Sequence, residues 1–303
     1  MTKSCLIGVA DRLFNLTMAN LVFCWLAVFG CYRAEVAPSS LEPPQTKFEF
    51  ALSDPAIQES SGLAHSIAAR KLWWTHNDSG DTARFFAFTD EGKVAGEFAL
   101  KGATATDWED MAAARVSNKN YLYFGDIGDN RKQRAFVVVY RVEEPTLETP
   151  KAELNRFDRF ELEYPDGPRD CETLLVFPNG AIELVSKESS GASRVYRIDS
   201  PKLKGRNKMK FVGVAEFEKG PGPASLATGG AVSLDGKRVV VRTYTSARIW
   251  SVPEGGRWMD GTPTVIPVTG EFQGEAITFD PGGNSLWTTS EGSPCRVSRT
   301  AIR

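Results

Sequence analysis

Histidine is almost missing from this chain of 303 residues: His65 and His76 are the only two. That excludes a multi-histidine metal centre and confines any histidine-based triad to two positions. Cysteine is nearly as scarce. Cys5, Cys24 and Cys31 fall in an apolar N-terminal stretch, leaving Cys171 and Cys295 for the rest of the chain, where no disulfide is expected from sequence alone. No Walker loop, dinucleotide fingerprint, Gly-x-Ser-x-Gly elbow or Cys-x-x-Cys pair occurs, which removes nucleotide, dinucleotide and serine-hydrolase chemistry. Charge of one sign is lacking too. A net charge of −2 and a pI near 5.9 offer nothing to nucleic acid or to an anionic membrane surface. No capped helix-period segment interrupts residues 47–303.

What is present begins with a leader. "LTMANLVFCWLAVFGC" (16–31) is apolar and follows Lys3 and Arg12, the pattern of a secretory segment. Val28-Phe29-Gly30-Cys31 resembles a bacterial lipobox with a bulky Phe29 in place of a small residue. Ala34 to Ala37 offers an ordinary cleavage site instead. The expected organisation is a leader over 1–37, a linker over 38–46 and one domain over 47–303. Export to the periplasm, the exterior or the cell envelope follows. Membrane contact is then expected only through the leader or a lipid on Cys31.

The domain is a repeat. "ESSGLA" (59–64), "DWEDMA" (107–112), "DCETLL" (170–175), "TGGAVS" (228–233) and "QGEAIT" (273–278) align as five strand entries, with Ser61, Glu109, Glu172, Gly230 and Glu275 at the third position. Each is followed by turn residues and a second apolar strand: "KLWWTH", "YLYFGD", "AIELVSK", "RVVVRTY" or "SLWTTSE". A third and a weaker fourth strand come next, except in the last repeat, which ends at Arg303 without a fourth. "TKFEFAL" (46–52) has no repeat of its own and supplies that strand. The pattern predicts an all-β propeller of five four-stranded blades, closed by the N-terminal strand pairing into the last blade. The long third repeat (170–227), with "SPKLKGRNK" (200–208), leaves room for a sixth.

"HNDSGD", "DWEDMA", "GDIGDNR", "YPDGPRDCETLLV", "GGAVSLDGKRVVVRTY" and "QGEAITFDPGGNSLWTTSEG" together resemble a group of secreted bacterial β-propeller proteins of unassigned function. The chain is similar more loosely to propellers described as phytase-like or esterase-like. The phytase-like likeness implies an acidic, Ca²⁺-dependent central face and phosphate-ester substrates. No catalytic residue carries over from it.

First strands line the channel of a propeller, so Glu109, Glu172 and Glu275 are expected to converge near the axis as oxygen ligands for a metal, with Ca²⁺ the matching cofactor. The ends of the second strands place His76, Asp126, Lys187, Arg242 and Glu291 at the same mouth as candidate ligand-binding residues, with Asp78 beside them. Two readings stand for these charges: an ion-pair network that locks the ring, or a site for a polar ligand. Asp78-Ser79-Gly80-Asp81 and Asp126-Ile127-Gly128-Asp129, spaced 48 residues apart, carry the same two readings, as Asx-turns or as metal loops. The expected function is an exported binding or scaffold protein whose mouth takes a polar small molecule or protein segment. The alternative is a metal-assisted hydrolase of phosphate esters.

Overall fold

A computed structural model describes residues 44–302; the leader and most of the linker lie outside the described residues. Strand β1 (Thr46–Leu52) is followed by blade 1: β2 (Ser60–His65), β3 (Leu72–Asn77), β4 (Arg84–Thr89) and β5 (Val94–Leu100). Blade 2 holds β6 (Trp108–Val116), β7 (Lys119–Asp126), β8 (Val137–Glu143) and β10 (Asp158–Glu163), with β9 (Lys151–Leu154) inserted before the last. Blade 3 holds β11 (Cys171–Val176), β12 (Ile182–Ser186), β13 (Ala192–Ile198) and β15 (Lys210–Glu216), with β14 (Arg206–Lys208) likewise inserted. Blade 4 is β16 (Ala227–Val232), β17 (Arg238–Thr243), β18 (Ser246–Ser251) and β19 (Thr264–Pro267). Blade 5 is β20 (Gly274–Phe279), β21 (Ser285–Ser290) and β22 (Cys295–Ala301), completed by β1.

Five blades, not six, make the ring. Its innermost strands neighbour one another in the order β2, β6, β11, β16, β20 and back to β2. The closure is the expected one: β1 pairs antiparallel with β22, from Thr46 opposite Thr300 to Leu52 opposite Cys295. Tying the two ends of the described chain into one sheet removes the gap at which a ring would open.

Two blades differ from the four-stranded expectation. β9 adds in parallel to β5 of blade 1, and β14 adds in parallel to β10 of blade 2. Both come from the connection between third and fourth strands of the following blade. In blade 4 the same connection forms a turn of 3-10 helix, Trp258–Asp260, that packs on β15. Each of these connections reaches back to cover the outer edge of the blade before it, where unpaired backbone groups would otherwise face solvent. "SPKLKGRNK" is therefore an edge cover and not a hidden blade.

Burial follows the sequence pattern. β2, β3, β11 and β20 are buried throughout, as strands covered on both faces must be. One apolar cluster fills each of the five interfaces between blades. Trp73 and Trp287, with ring centroids 4.5 Å apart, seal the interface between first and last blades. Cys171 and Cys295 are buried free thiols in different blades.

A buried carboxylate ties the innermost strands together. Asp110, fully buried, accepts backbone N–H bonds from Met111 in its own strand (2.8 Å), from Leu174 in blade 3 (2.9 Å) and from Gly230 in blade 4 (3.1 Å). Burial raises its carboxyl well above the usual range, and the three N–H donors pull it back.

Candidate functional site

Every innermost strand carries a β-bulge at one shared position. The register skips Ser61 between the pairs Ser60–Asn77 and Gly62–His76, and skips Glu109, Glu172, Thr228 and Glu275 in the same way in blades 2 to 5. A bulged residue is left out of the ladder and its side chain is re-aimed. In blades 2, 3 and 5 that residue is glutamate. In blades 1 and 4 it is a hydroxyl: Ser61 donates to the carbonyl of Glu109, and Thr228 to that of Gly274 at 3.1 Å. Blade 4 thus corrects the sequence alignment, since Thr228 and not Gly230 holds the shared position.

The same register sorts the second-strand residues. Asn77, Asp126, Ser186, Thr243 and Ser290 pair at the strand ends, so the residues that follow them are Asp78, Ile127, Lys187, Tyr244 and Glu291. Asp78, Lys187 and Glu291 reach the mouth from matched places, and Tyr244 joins them. His76 and Arg242 precede this ring by two residues and lie inside the blades.

His76 is fully buried. Its Nδ1 bonds the Asn77 carbonyl at 2.7 Å, and its ring packs edge-on to Trp108. It fills the space left by Gly62 opposite, where an added Cβ would stand 2.2 Å from Nε2. Burial depresses it to about 4, so it is neutral at physiological pH. Arg242 is equally buried. It contacts Glu271 at 2.9 Å and donates to the Ala276 carbonyl at 3.0 Å, inside the interface between blades 4 and 5. Both are sealed inside the blades and not at the mouth, where the sequence pattern places them. Asp126 is withdrawn as well: it pairs with Arg134 at 2.8 Å and accepts the N–H of Asp107 at 3.1 Å. It supports a mouth residue without being one.

The two Asp-x-Gly-Asp loops prove different. Asp126 occupies the place of Asn77, not of Asp78, because the second hairpin is one residue longer than the first. In blade 1, Asn77 and Asp81 bond to each other and close the turn, and Gly80 takes φ +91°. In blade 2, Gly128 serves by its missing side chain. A Cβ there would stand 2.3 Å from Glu109 Oε1 and 2.4 Å from Asp107 Oδ2. Gly128→Ala is therefore expected to keep the fold while pushing both carboxylates aside. Any affinity of the mouth for a cation should fall about tenfold or more, the scale on which disturbed support of metal ligands acts; titration calorimetry beside a melting curve measures both.

What remains is a two-tiered acidic mouth. Glu109, Asp170, Glu172 and Glu275 form the buried floor, each under one-tenth exposed. Asp78, Asp107, Lys187, Tyr244 and Glu291 form a half-buried rim. Asp107 and Asp170 were not among the sequence candidates, although "DWED" and "DCET" share an Asp two residues before the Glu. The three glutamates do not meet as one trio. Ligand oxygens gather within 4.8 Å as Asp78–Asp107–Glu109, as Asp78–Glu275–Glu291 and as Glu109–Asp170–Glu172.

Lys187 brings a positive charge into this ring, and Arg134 acts on Asp107 from behind it. Lys187 ion-pairs with Glu172 and donates to the Tyr244 hydroxyl at 3.1 Å, and Tyr244 donates to Glu275 Oε1 at 3.4 Å. This arm uses one oxygen of each glutamate. Glu172 Oε2 and Glu275 Oε2 are buried with no hydrogen-bond partner among the described residues. Burial pushes Glu172 up to about 8 against the pull of Lys187. It pushes Glu275 up to about 9, with the charges of Glu172 and Glu291 adding. Asp78 rises to about 6, chiefly by burial. A cation placed here competes with the protons these groups retain.

No protein-family model matches the chain, and no curated protein is significantly similar to it. Among solved structures it is similar to a gluconolactonase from Xanthomonas campestris, described as important in glucose secondary metabolic pathways, at 14% identity and a TM-score of 0.47. The match covers 88% of this chain and 97% of that one.

Proposed function

We propose that this propeller is a cation-dependent binding protein: its mouth holds a hard divalent ion, Ca²⁺ by donor chemistry, and presents it with Lys187 to a polar ligand bearing an anionic group. The observation that carries the reading is the pair of buried carboxylate oxygens without partners, Glu172 Oε2 and Glu275 Oε2. Buried polar atoms are almost always bonded, and orphans on acidic groups suit a cation. The donor set is all oxygen. Both thiols are buried in the apolar interfaces between blades, both histidines are buried, and none of the four belongs to an oxygen trio, which suits Ca²⁺ over softer ions. Glu109, Glu172 and Glu275 from the floor, with Asp78, Asp107, Asp170 and Glu291, are the residues that hold it. The ligand is a small polar molecule or a protein segment that bears an anionic group. The apolar stretch over 16–31 supports export, with the propeller working in the cell envelope or beyond it.

Calcium at about a hundred times its Kd should add ~2.7 kcal/mol of stability. For a domain of this size that raises Tm by roughly 5–10 °C, and EDTA should reverse it. Identical melting curves in Ca²⁺ and EDTA would sink the reading.

A second reading is metal-assisted hydrolysis of a phosphate ester, in which the ion polarises the phosphoryl group and Lys187 holds its charge. It is favoured by the ammonium group standing beside the carboxylate floor. Binding is preferred because both histidines are buried, and His76, the one at this end of the fold, is closed to solvent. Turnover of p-nitrophenyl phosphate by the Ca²⁺-loaded protein, lost in a folded Glu109→Gln variant, would reverse that preference.

A further inference from the structure

We infer that the mouth is built for two cations that share carboxylates. This rests on the cation-binding reading and goes beyond it. Two of the three oxygen trios, Glu109–Asp170–Glu172 and Asp78–Glu275–Glu291, have no residue in common. The first lies between blades 2 and 3, the second between blades 5 and 1. Each includes a glutamate with a buried orphan oxygen, Glu172 with its Oε2 in one and Glu275 with its Oε2 in the other, on side chains 4% and 5% exposed.

No trio among the described residues combines Glu172 with Glu275. One ion seated in either trio therefore leaves the other orphan unanswered, and a buried carboxylate oxygen without a partner is costly. The third trio, Asp78–Asp107–Glu109, takes one member from each of the others. That is the arrangement carboxylates adopt when they bridge two hard cations, one oxygen to each. The Lys187–Tyr244 arm fits the same plan. It spans from Glu172 to Glu275, engages Oε1 of each and leaves Oε2 of each free.

Charge supports the count. The floor and rim bring Asp78, Asp107, Glu109, Asp170, Glu172, Glu275 and Glu291 together against Lys187, with Arg134 acting on Asp107 from behind. Two divalent ions bring that cluster closer to neutrality than one, and close carboxylates of low exposure repel one another strongly until a counter-charge enters.

Manganese serves as the probe because it takes the same oxygen ligands and is paramagnetic. The full chain saturated with Mn²⁺ should bind two ions per molecule and give a spin-coupled signal by electron paramagnetic resonance, displaced by excess Ca²⁺. Glu275→Gln and Glu172→Gln, checked for folding by circular dichroism, should each retain one ion with the simple uncoupled spectrum. One ion per chain in the parent would overturn the pair and leave the cation reading standing. Two uncoupled ions would likewise overturn a shared mouth. No bound manganese and no displacement by Ca²⁺ would remove both readings and leave the orphans to shared protons.

Discussion

Replacing Asp110 with alanine is expected to cost about 3–5 kcal/mol of folding stability, since three buried backbone donors lose their acceptor at ~1–3 kcal/mol each, offset by removal of a buried carboxyl. Tm should fall on the order of 10 °C. The donors belong to Met111, Leu174 and Gly230, on the innermost strands of three blades. No side chain at the matched position elsewhere can replace it, because Gly62, Thr173, Gly229 and Ala276 stand there. Asp110→Asn should fare little better. It keeps the shape but turns an N–H₂ group towards a backbone N–H, so at least one donor stays orphaned. Urea unfolding of both variants in EDTA separates this effect from any loss of cation. An alanine variant as stable as the parent would show that the buried carboxylate is not what joins blades 2, 3 and 4.

The second large effect changes sign with the ion. Without cation, Glu275→Gln should stabilise the protein; with saturating Ca²⁺ it should destabilise it relative to the parent. The carboxyl of Glu275 is raised from the ordinary 4.5 to about 9 by burial and by neighbouring Glu172 and Glu291. Below pH 4.5 folded and unfolded chains both carry the proton, and the substitution changes little. Between pH 4.5 and about 9 the unfolded chain has lost the proton that the folded chain keeps, so the parent loses ~1.4 kcal/mol per pH unit. Above that range the cost is complete. Glutamine has no proton to lose, so near pH 7 the variant should gain roughly 2–3 kcal/mol in EDTA, a gain that vanishes at pH 4. Calcium reverses the order because the parent gains binding energy that the variant forfeits. Melting curves at pH 4 and pH 7, with and without Ca²⁺, give the four values required. A variant less stable than the parent in EDTA at pH 7 would contradict the electrostatic account of this floor.

Both expectations come from innermost strands whose residue types are visible in the sequence, yet they were not equally legible there. The Asp-x-Glu entries "DWED" and "DCET", and the glutamate of "QGEAIT", mark their strands plainly, and the glutamates were identified from them. Asp107 and Asp170 belong to the same motif but carry a weaker signal. They precede their strands, and an acid before a strand usually serves a turn. Asp110 gave no signal of its role, because its partners Leu174 and Gly230 lie 64 and 120 residues away.

What the sequence determined by itself was the architecture: five repeats of alternating apolar strands, a repeat short of its last strand and an unassigned first strand point to a ring closed between its ends, though not to its exact blade count. It also determined which chemistry the mouth carries, since carboxylates recur at one repeat position while histidine and accessible cysteine do not. Tertiary structure decided which of those charges see the mouth. Side chains alternate in direction along a strand, and a bulge or one extra hairpin residue shifts that alternation, so one step in register separates an open position from a sealed one. Lys187 and Glu291 fall on the open side of that step. Arg242 and His76 stand two residues earlier, on the same alternation but deeper in the ladder, opposite Gly229 and Gly62, where packing and not charge governs what they do.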